Sequence, residues 1–314
     1  MAKVFVAGAL LPTGGAYMAY HLGRLLARHF GYELFDIHIY NVDKRIFRYD
    51  TPIQSVSIPQ MENMVTGDDI LIVNPSFSQF LFGLRLPGRK IMYIQDFRTF
   101  LLMDCHFDIY VSVSSVVSRY VHALYGIESP VIPAFIQLNQ MPQALPWHER
   151  PKHSALVYMK NPSHEHKVLL AHISAQLRQI APHINLTNIL EGRGLTHQEF
   201  LRRLGAVRYF VNMSLAEGFG LVPLEAMAMG TMVTGVDGLA GRDYMNDGHN
   251  CMIGSIKNLR GLAHTIADAF SDEDRAFQIT QNGQASAKHY GHAMFKAAWL
   301  KQFAEFLQRE PAHA

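Results

Sequence analysis

The chain has 314 residues, a length that suits two domains of about 150 residues better than one. Apolar residues make up 49% and charged ones 17%, which is enough to build cores and excludes a disordered chain. The formal charge of +2, with no block of like charge, excludes a nucleic-acid partner held by a basic field.

Cys105 and Cys251 lie in different halves, so no disulfide framework is expected and a reducing cytosol is the default. The N-terminus lacks a signal peptide's long apolar stretch. No apolar run reaches the roughly 18 residues of a transmembrane helix.

Residues 3–8 read as a short apolar strand, followed by a turn holding Gly14 and Gly15 and then a helix. On that helix Met18, Leu22, Leu25, Leu26 and His29 share one face, while Tyr17, His21, Arg24 and Arg28 share another. Strand, glycine turn and helix open a doubly wound sheet. The glycine spacing is wrong for a dinucleotide fingerprint, and no Lys-Ser or Lys-Thr follows to make a P-loop. The Arg24 and Arg28 face is either solvated or suited to peripheral contact with an anionic membrane.

Further strands are expected at 37–41, 70–74, 90–94 and 109–113, alternating with helical or polar segments. That is the pattern of a mostly parallel sheet covered on both faces. Ligands bind such sheets beyond the carboxyl ends of the strands, which is where Gln95, Asp96, Phe97 and Arg98 fall.

Pro133, Pro142, Pro146 and Pro151 mark residues 133–152 as a linker. Beyond it a strand at 154–159 leads to Lys160 and Lys167. His164-Glu165-His166 invites a metal reading, but residues two apart on a helix point apart and no His-Glu-x-x-His follows, so no metal site is expected. A strand at 184–190, a turn at 191–194 and a capping box at Thr196 and Glu199 follow, with Phe200 and Leu204 on the buried side of the new helix.

The most informative stretch is 217–230, Glu-Gly-Phe-Gly-Leu-Val-Pro-Leu-Glu-Ala-Met-Ala-Met-Gly. Before it, residues 207–212 read as a buried strand. Pro223 suits a first helical turn, and Gly230 suits a left-handed helix terminator. Gly218, Phe219 and Gly220 thus form a bend from a strand end into a helix start, where bare backbone and the helix dipole attract an anion such as a pyrophosphate. Glu225 is expected in the first helical turn, and Glu217 just before the bend. A carboxylate only accepts hydrogen bonds, so the natural partners of both are sugar hydroxyls: one on a ribose, the other on a hexose. Residues 232–236 read as the next strand, 246–250 as a turn and 259–270 as a helix. Phe295, Ala298, Trp299, Phe303 and Phe306 form an apolar stripe on a last helix.

With Glu217 and Glu225 separated by seven residues, the 217–230 string resembles the donor-site signature of retaining GT-B glycosyltransferases of family 4. The resemblance implies two Rossmann-like doubly wound α/β domains with an interdomain cleft. Residues 1–133 would form the acceptor side, 134–152 the linker and 153–290 the nucleotide-sugar-binding domain, with the helix of 291–314 packing back onto the first domain. It implies Glu217 near the donor sugar, Gly218, Phe219, Gly220 and Leu221 around that sugar and its diphosphate, and Glu225 on the ribose. Gly14 and Gly15 would face the diphosphate and acceptor, and the nucleotide base would lie near the 191–195 turn. Lys160 and Lys167 stand where the family keeps a basic pair against the diphosphate, at wider spacing. Gln95-Asp96 replaces a family His, as in some rhamnosyltransferase-like members. Asp96 is therefore a catalytic base or acceptor-binding group, or else caps the next turn.

The implied activity is transfer of a hexosyl or deoxyhexosyl group from a nucleoside diphosphate sugar, such as a UDP-sugar, to a hydroxyl of a saccharide, lipid-linked or small-molecule acceptor. Retention is expected, without cofactor or metal, in the cytoplasm or at the inner face of the membrane. The alternatives are a catalytically silent GT-B subunit and a GT-B nucleotide-sugar epimerase.

Overall fold

The computed structural model describes residues 1–7, 14–38, 53–97, 102–160, 164–189 and 195–308. They divide into two compact units, one of Met1–Ala134 with Ala293–Ala314 and one of Phe135–His292.

The first unit runs β1 (Lys3–Ala7), α1 (Gly14–Phe30), β2 (Glu33–His38), β3 (Gln54–Ser57), α2 (Ile58–Met64), β4 (Ile70–Val73), α3 (Phe82–Arg85), β5 (Arg89–Ile94), β6 (Ile109–Ser112) and α4 (Ser115–Tyr125). Its six strands lie in the order β3-β2-β1-β4-β5-β6, every pairing parallel. Strand β4 reads Ile-Leu-Ile-Val and is buried throughout, as a central parallel strand covered on both faces must be. The order reverses between β1 and β4, which makes the carboxyl ends of those strands a switch point.

On α1, Met18, Leu22, Leu25 and Leu26 are buried as the periodicity requires, but His29 is exposed and His21 is buried against Tyr17, with ring centroids 4.3 Å apart. The buried arc is wider than the sequence stripe because small and aromatic neighbours, Ala19, Tyr20 and Gly23, pack inward too. Strand β2 starts at Glu33, four residues before the expected position, in register with Lys3 of β1; residues 39–41 lie outside the described residues.

The last helix, His292–Gln308, turns Phe295, Trp299, Phe303 and Phe306 inward. Trp299 meets the edge of Tyr93 at 5.1 Å, Phe303 meets Phe30 at 4.9 Å, and Arg89 lies over Phe306 while donating to its carbonyl at 2.7 Å. All of these belong to the first unit. Among the described residues no helix is long and apolar enough to cross a membrane.

The second unit runs β7 (Ser154–Tyr158), α5 (His164–Ile180), β8 (Asn185–Asn188), α6 (His197–Leu204), β9 (Tyr209–Asn212), α7 (Leu221–Ala228), β10 (Met232–Gly235), β11 (Met252–Ile253), α8 (Leu259–Ala269) and α9 (Glu273–Ala287). Its five parallel strands lie in the order β11-β10-β9-β7-β8. Ala155, Val157, Tyr209, Val211 and Met232 put one sheet face against α5 and α8 through Ile173, Leu177, Leu262 and Ile266. Here the order reverses between β7 and β9. Whatever follows those two strands stands at the place where open α/β sheets bind ligands.

Candidate active site

The residues after β7 and β9 are Lys160 and the run from Ser214 to Glu217, and the backbone ties them together. The Lys160 N–H donates to Ser214 Oγ at 2.9 Å, and the Ser214 N–H to Asn212 Oδ1 at 3.3 Å. The Glu217 N–H donates to the Gly238 carbonyl at 2.9 Å, which joins the segment after β9 to the one after β10. Leu239, next in line, holds φ 68 and ψ −62 in a γ-turn closed by Ala240 N–H on Gly238 O at 2.9 Å. A non-glycine residue with that backbone is strained by roughly 1–3 kcal/mol, a cost that structures concentrate around functional sites. Asp237 steadies the turn by accepting from the Leu239 N–H at 2.9 Å and from Arg242 Nε at 2.6 Å.

Helix α7 begins directly after the bend. Gly220, its N-cap, takes φ 88, and a Cβ there would stand 2.9 Å from Tyr244 Oη, so both backbone and space demand glycine. No side chain caps the helix start; instead the Tyr244 hydroxyl donates to the Gly220 carbonyl. Burial and the nearby Glu217 charge hold that phenol well above its ordinary range. At the far end Gly230 takes φ 65, with its N–H on Met227 O and the Thr231 N–H on Ala226 O, both at 3.0 Å: a Schellman stop. Arg150, from the proline-rich stretch, donates to the Met229 and Gly230 carbonyls there; burial, then Arg208, push its pKa down to about 10.

This start corrects one expectation. Glu225 is the fifth residue of α7 and no acidic residue stands in its first turn, so the helix dipole does not account for it. The helix opens at Leu221, directly after left-handed Gly220 and two residues ahead of Pro223, which leaves Glu225 in the second turn. Glu225 is held by its neighbours instead: it is 7% exposed, and His197 Nε2 meets its Oε1 at 2.7 Å. Glu217 is as deeply placed, 6% exposed, with Lys160 Nζ 2.8 Å from its Oε2. Each buried carboxylate is thus covered by a more exposed partner, the Lys160 side chain at 40% and that of His197 at 55%. The Tyr158 phenol at the end of β7 is raised by burial and then by the charges of Glu217 and Glu225. The Glu225 hydrogen bond, set against burial, raises the His197 pKa above its ordinary value.

Of the other expected residues, Phe219 is buried against Tyr244 and Tyr290, ring centroids 5.5 and 5.6 Å away, so its ring belongs to the core and only its backbone is left for a ligand. Gly218 and Gly220 are buried and Leu221 is half-buried. Lys160 pairs with Glu217; Lys167 is exposed on the first turn of α5. In the first unit Gln95 Nε2 donates to the Gly15 carbonyl at 2.9 Å, joining the end of β5 to the start of α1. A Cβ on Gly15 would stand 3.1 Å from Gln95 Oε1. Gly14 opens α1, exposed, and Asp96 is half-buried beside Gln95. The expected base-binding turn, 191–195, lies mostly outside the described residues. So does the Glu165 side chain; among the described residues no group of His, Cys, Asp and Glu could hold a metal ion.

Sequence reasoning passed over His197, Tyr158 and Tyr244. His197 reads only as the interior of a capping box, and nothing local links it to a carboxylate 28 residues away.

Residues 194–286 match the family model described as Glycosyl transferases group 1. The matched stretch holds Glu217, Glu225, His197 and the Gly218–Gly220 bend. No curated protein matches the chain. Among solved structures, a glycosyltransferase from Rickettsia africae is similar with a TM-score of 0.75 at 14% identity, over 98% of this chain and 99% of that one. HepE from Anabaena, solved with UDP and glucose, gives a TM-score of 0.74 at 13% identity over 99% and 100%. Sucrose-phosphate synthase from Thermosynechococcus elongatus gives 0.71 at 12% over 98% and 99%. The fold is the GT-B fold of these enzymes, two parallel-sheet α/β units.

Proposed function

We propose that the protein is a glycosyltransferase that moves a hexosyl or deoxyhexosyl group from a nucleoside diphosphate sugar to an acceptor hydroxyl. One observation carries the reading: two buried carboxylates flank a glycine bend at the start of α7, at the switch point of the second sheet. HepE, of the same fold, was solved with UDP, which makes a UDP-sugar the first donor to try.

In this reading the diphosphate lies on the backbone of residues 218–221 and the mouth of α7. Glu225 accepts from the ribose hydroxyls and Glu217 from those of the donor sugar. The bond between the anomeric carbon and the diphosphate oxygen breaks and its electron pair leaves with the diphosphate. The α7 dipole and Lys160, released from Glu217, meet that charge. Lys167 and the α1 start at Gly14 and Gly15 are further candidates for diphosphate contact. The acceptor oxygen bonds to the anomeric carbon, and Asp96 takes its proton or orients it. Because fixed dipoles and lysine meet the charge, we assign no metal or cofactor. Retention rests on the family 4 resemblance. The acceptor is a saccharide, lipid-linked or small-molecule hydroxyl, and the site of action is cytoplasmic, with the Arg24 and Arg28 face available for membrane contact.

A second reading, a nucleotide-sugar-binding subunit without transfer, is favoured by Gln95: it stands where the family keeps a His and is tied to Gly15. Incubation with UDP-, dTDP-, GDP- and ADP-sugars and a panel of acceptors separates the readings. Nucleoside diphosphate released only with acceptor supports transfer, and Asp96→Asn then slows release while sparing donor binding. Binding without release supports the silent subunit. An isomerised donor sugar with no acceptor consumed supports an epimerase.

A further inference from the structure

His197 opens α6, and its position is fixed twice. Thr196 and Glu199 form a reciprocal capping box, Glu199 N–H on Thr196 Oγ1 at 3.2 Å and Thr196 N–H on Glu199 Oε2 at 2.7 Å. Leu201 and Leu204, wholly buried, anchor the helix from below. From that fixed start the imidazole meets Glu225 Oε1 at 2.7 Å.

A glutamate side chain has three rotatable bonds, and binding a vicinal diol requires both its oxygens to face one way. Glu225 is assigned that task by the function proposed above, on which this inference rests. Each carboxylate oxygen has two lone pairs. The His197 hydrogen bond therefore occupies one of four acceptor positions and leaves the rest for ribose, while removing the freedom of the carboxylate to turn. With the side chain of Glu225 only 9% exposed and that of His197 55% exposed, the imidazole also forms the solvent-facing border of the carboxylate.

We propose that His197 is a positioning residue of the donor site: by holding Glu225 Oε1 it aims the carboxylate at the ribose diol and so confers selectivity for ribonucleotides over 2′-deoxyribonucleotides. A structural role alone, the pinning of α6 to α7, would lower stability without touching that selectivity.

The test is calorimetry with whichever of UDP, GDP and ADP binds the wild type most tightly, and with its 2′-deoxy counterpart. Loss of one hydroxyl hydrogen bond to a carboxylate should weaken binding by about tenfold or more in the wild type. His197→Ala should reduce that ratio to within about threefold of unity. His197→Gln, whose amide N–H reaches about as far as imidazole Nε2, should restore it. A His197→Ala variant that discriminates as strongly as the wild type overturns the positioning role and leaves Glu225 on the ribose. A wild type that does not discriminate, or a Glu225→Ala variant with an unchanged ratio, removes the ribose assignment itself and this inference with it.

Discussion

The two buried glutamates of the second unit invite comparison. Both lie almost out of solvent and both face a cation-forming partner, but the partners differ in kind. Lys160 carries a compact permanent charge at the end of a flexible stem, 2.8 Å from Glu217. His197 carries a charge that comes and goes near neutral pH, on a ring held at 2.7 Å from Glu225 by a capped helix. A mobile ammonium suits a site where charge must move toward a departing diphosphate. A short, anchored ring suits one where geometry must be kept while a neutral diol docks. In the proposed function the difference separates the end of the site that does chemistry from the end that recognises the donor.

Changes on the Lys160 side should break the chemistry most. Lys160→Met keeps the apolar stem and should lower kcat/KM by about 10²–10³, the order found when one stabiliser of transition-state charge is removed. Steady-state kinetics checks it, and Glu217→Ala should likewise reduce turnover more than nucleotide affinity. On the other side the cost should fall on binding: Glu225→Ala should weaken nucleotide affinity by about 10- to 150-fold, or about 1.5–3 kcal/mol, in calorimetry. An unchanged affinity would dissolve the distinction between the two ends.

Between them stands the bend. Tyr244→Phe removes one donor from the buried Gly220 carbonyl, which as N-cap still accepts from the first turn of α7, and should destabilise the protein by about 0.5–1.5 kcal/mol in denaturant melts. The smallest effect sharpens the contrast in partners. His197 has its pKa raised above 6.5, first by the Glu225 hydrogen bond and with the Glu225 charge contributing. A raised folded-state pKa means that the pair's stabilisation is fully present below pH 6.5 and fades as pH rises through the raised value. Proton NMR titration should find His197 titrating above its ordinary value in the wild type and close to it in Glu225→Gln, with resonances assigned through His197→Gln.

What could be read from the sequence followed from what backbone and burial force on it. Gly220 and Gly230 had to be glycine, and the run of β4 had to be a covered parallel strand. The misplacement of Glu225 in the first turn came from letting Pro223 mark the helix start, whereas the helix opens two residues earlier, at Leu221, directly after left-handed Gly220. Strands β3 and β11 escaped because one is polar, Gln-Ser-Val-Ser, and the other only two residues long, each at a sheet edge. Phe219 looked like a ligand contact by its place in the string, yet two tyrosines from distant segments claim its ring. His197 and Tyr158 carry no local mark, since the topology alone brings them to the carboxylates. The first unit was less legible at its functional end: Gln95 and Gly15 are joined by a single hydrogen bond across 80 residues, and no periodicity reports such a link.

The most direct measurement is a crystal of the protein soaked with the nucleotide that binds it best. The prediction is a diphosphate seated on the main chain of residues 218–221, ribose hydroxyls within hydrogen-bonding distance of Glu225, and Lys160 swung from Glu217 toward the phosphates. A nucleotide lodged elsewhere, or one bound with Lys160 still on Glu217 and neither glutamate touching a hydroxyl, would contradict it.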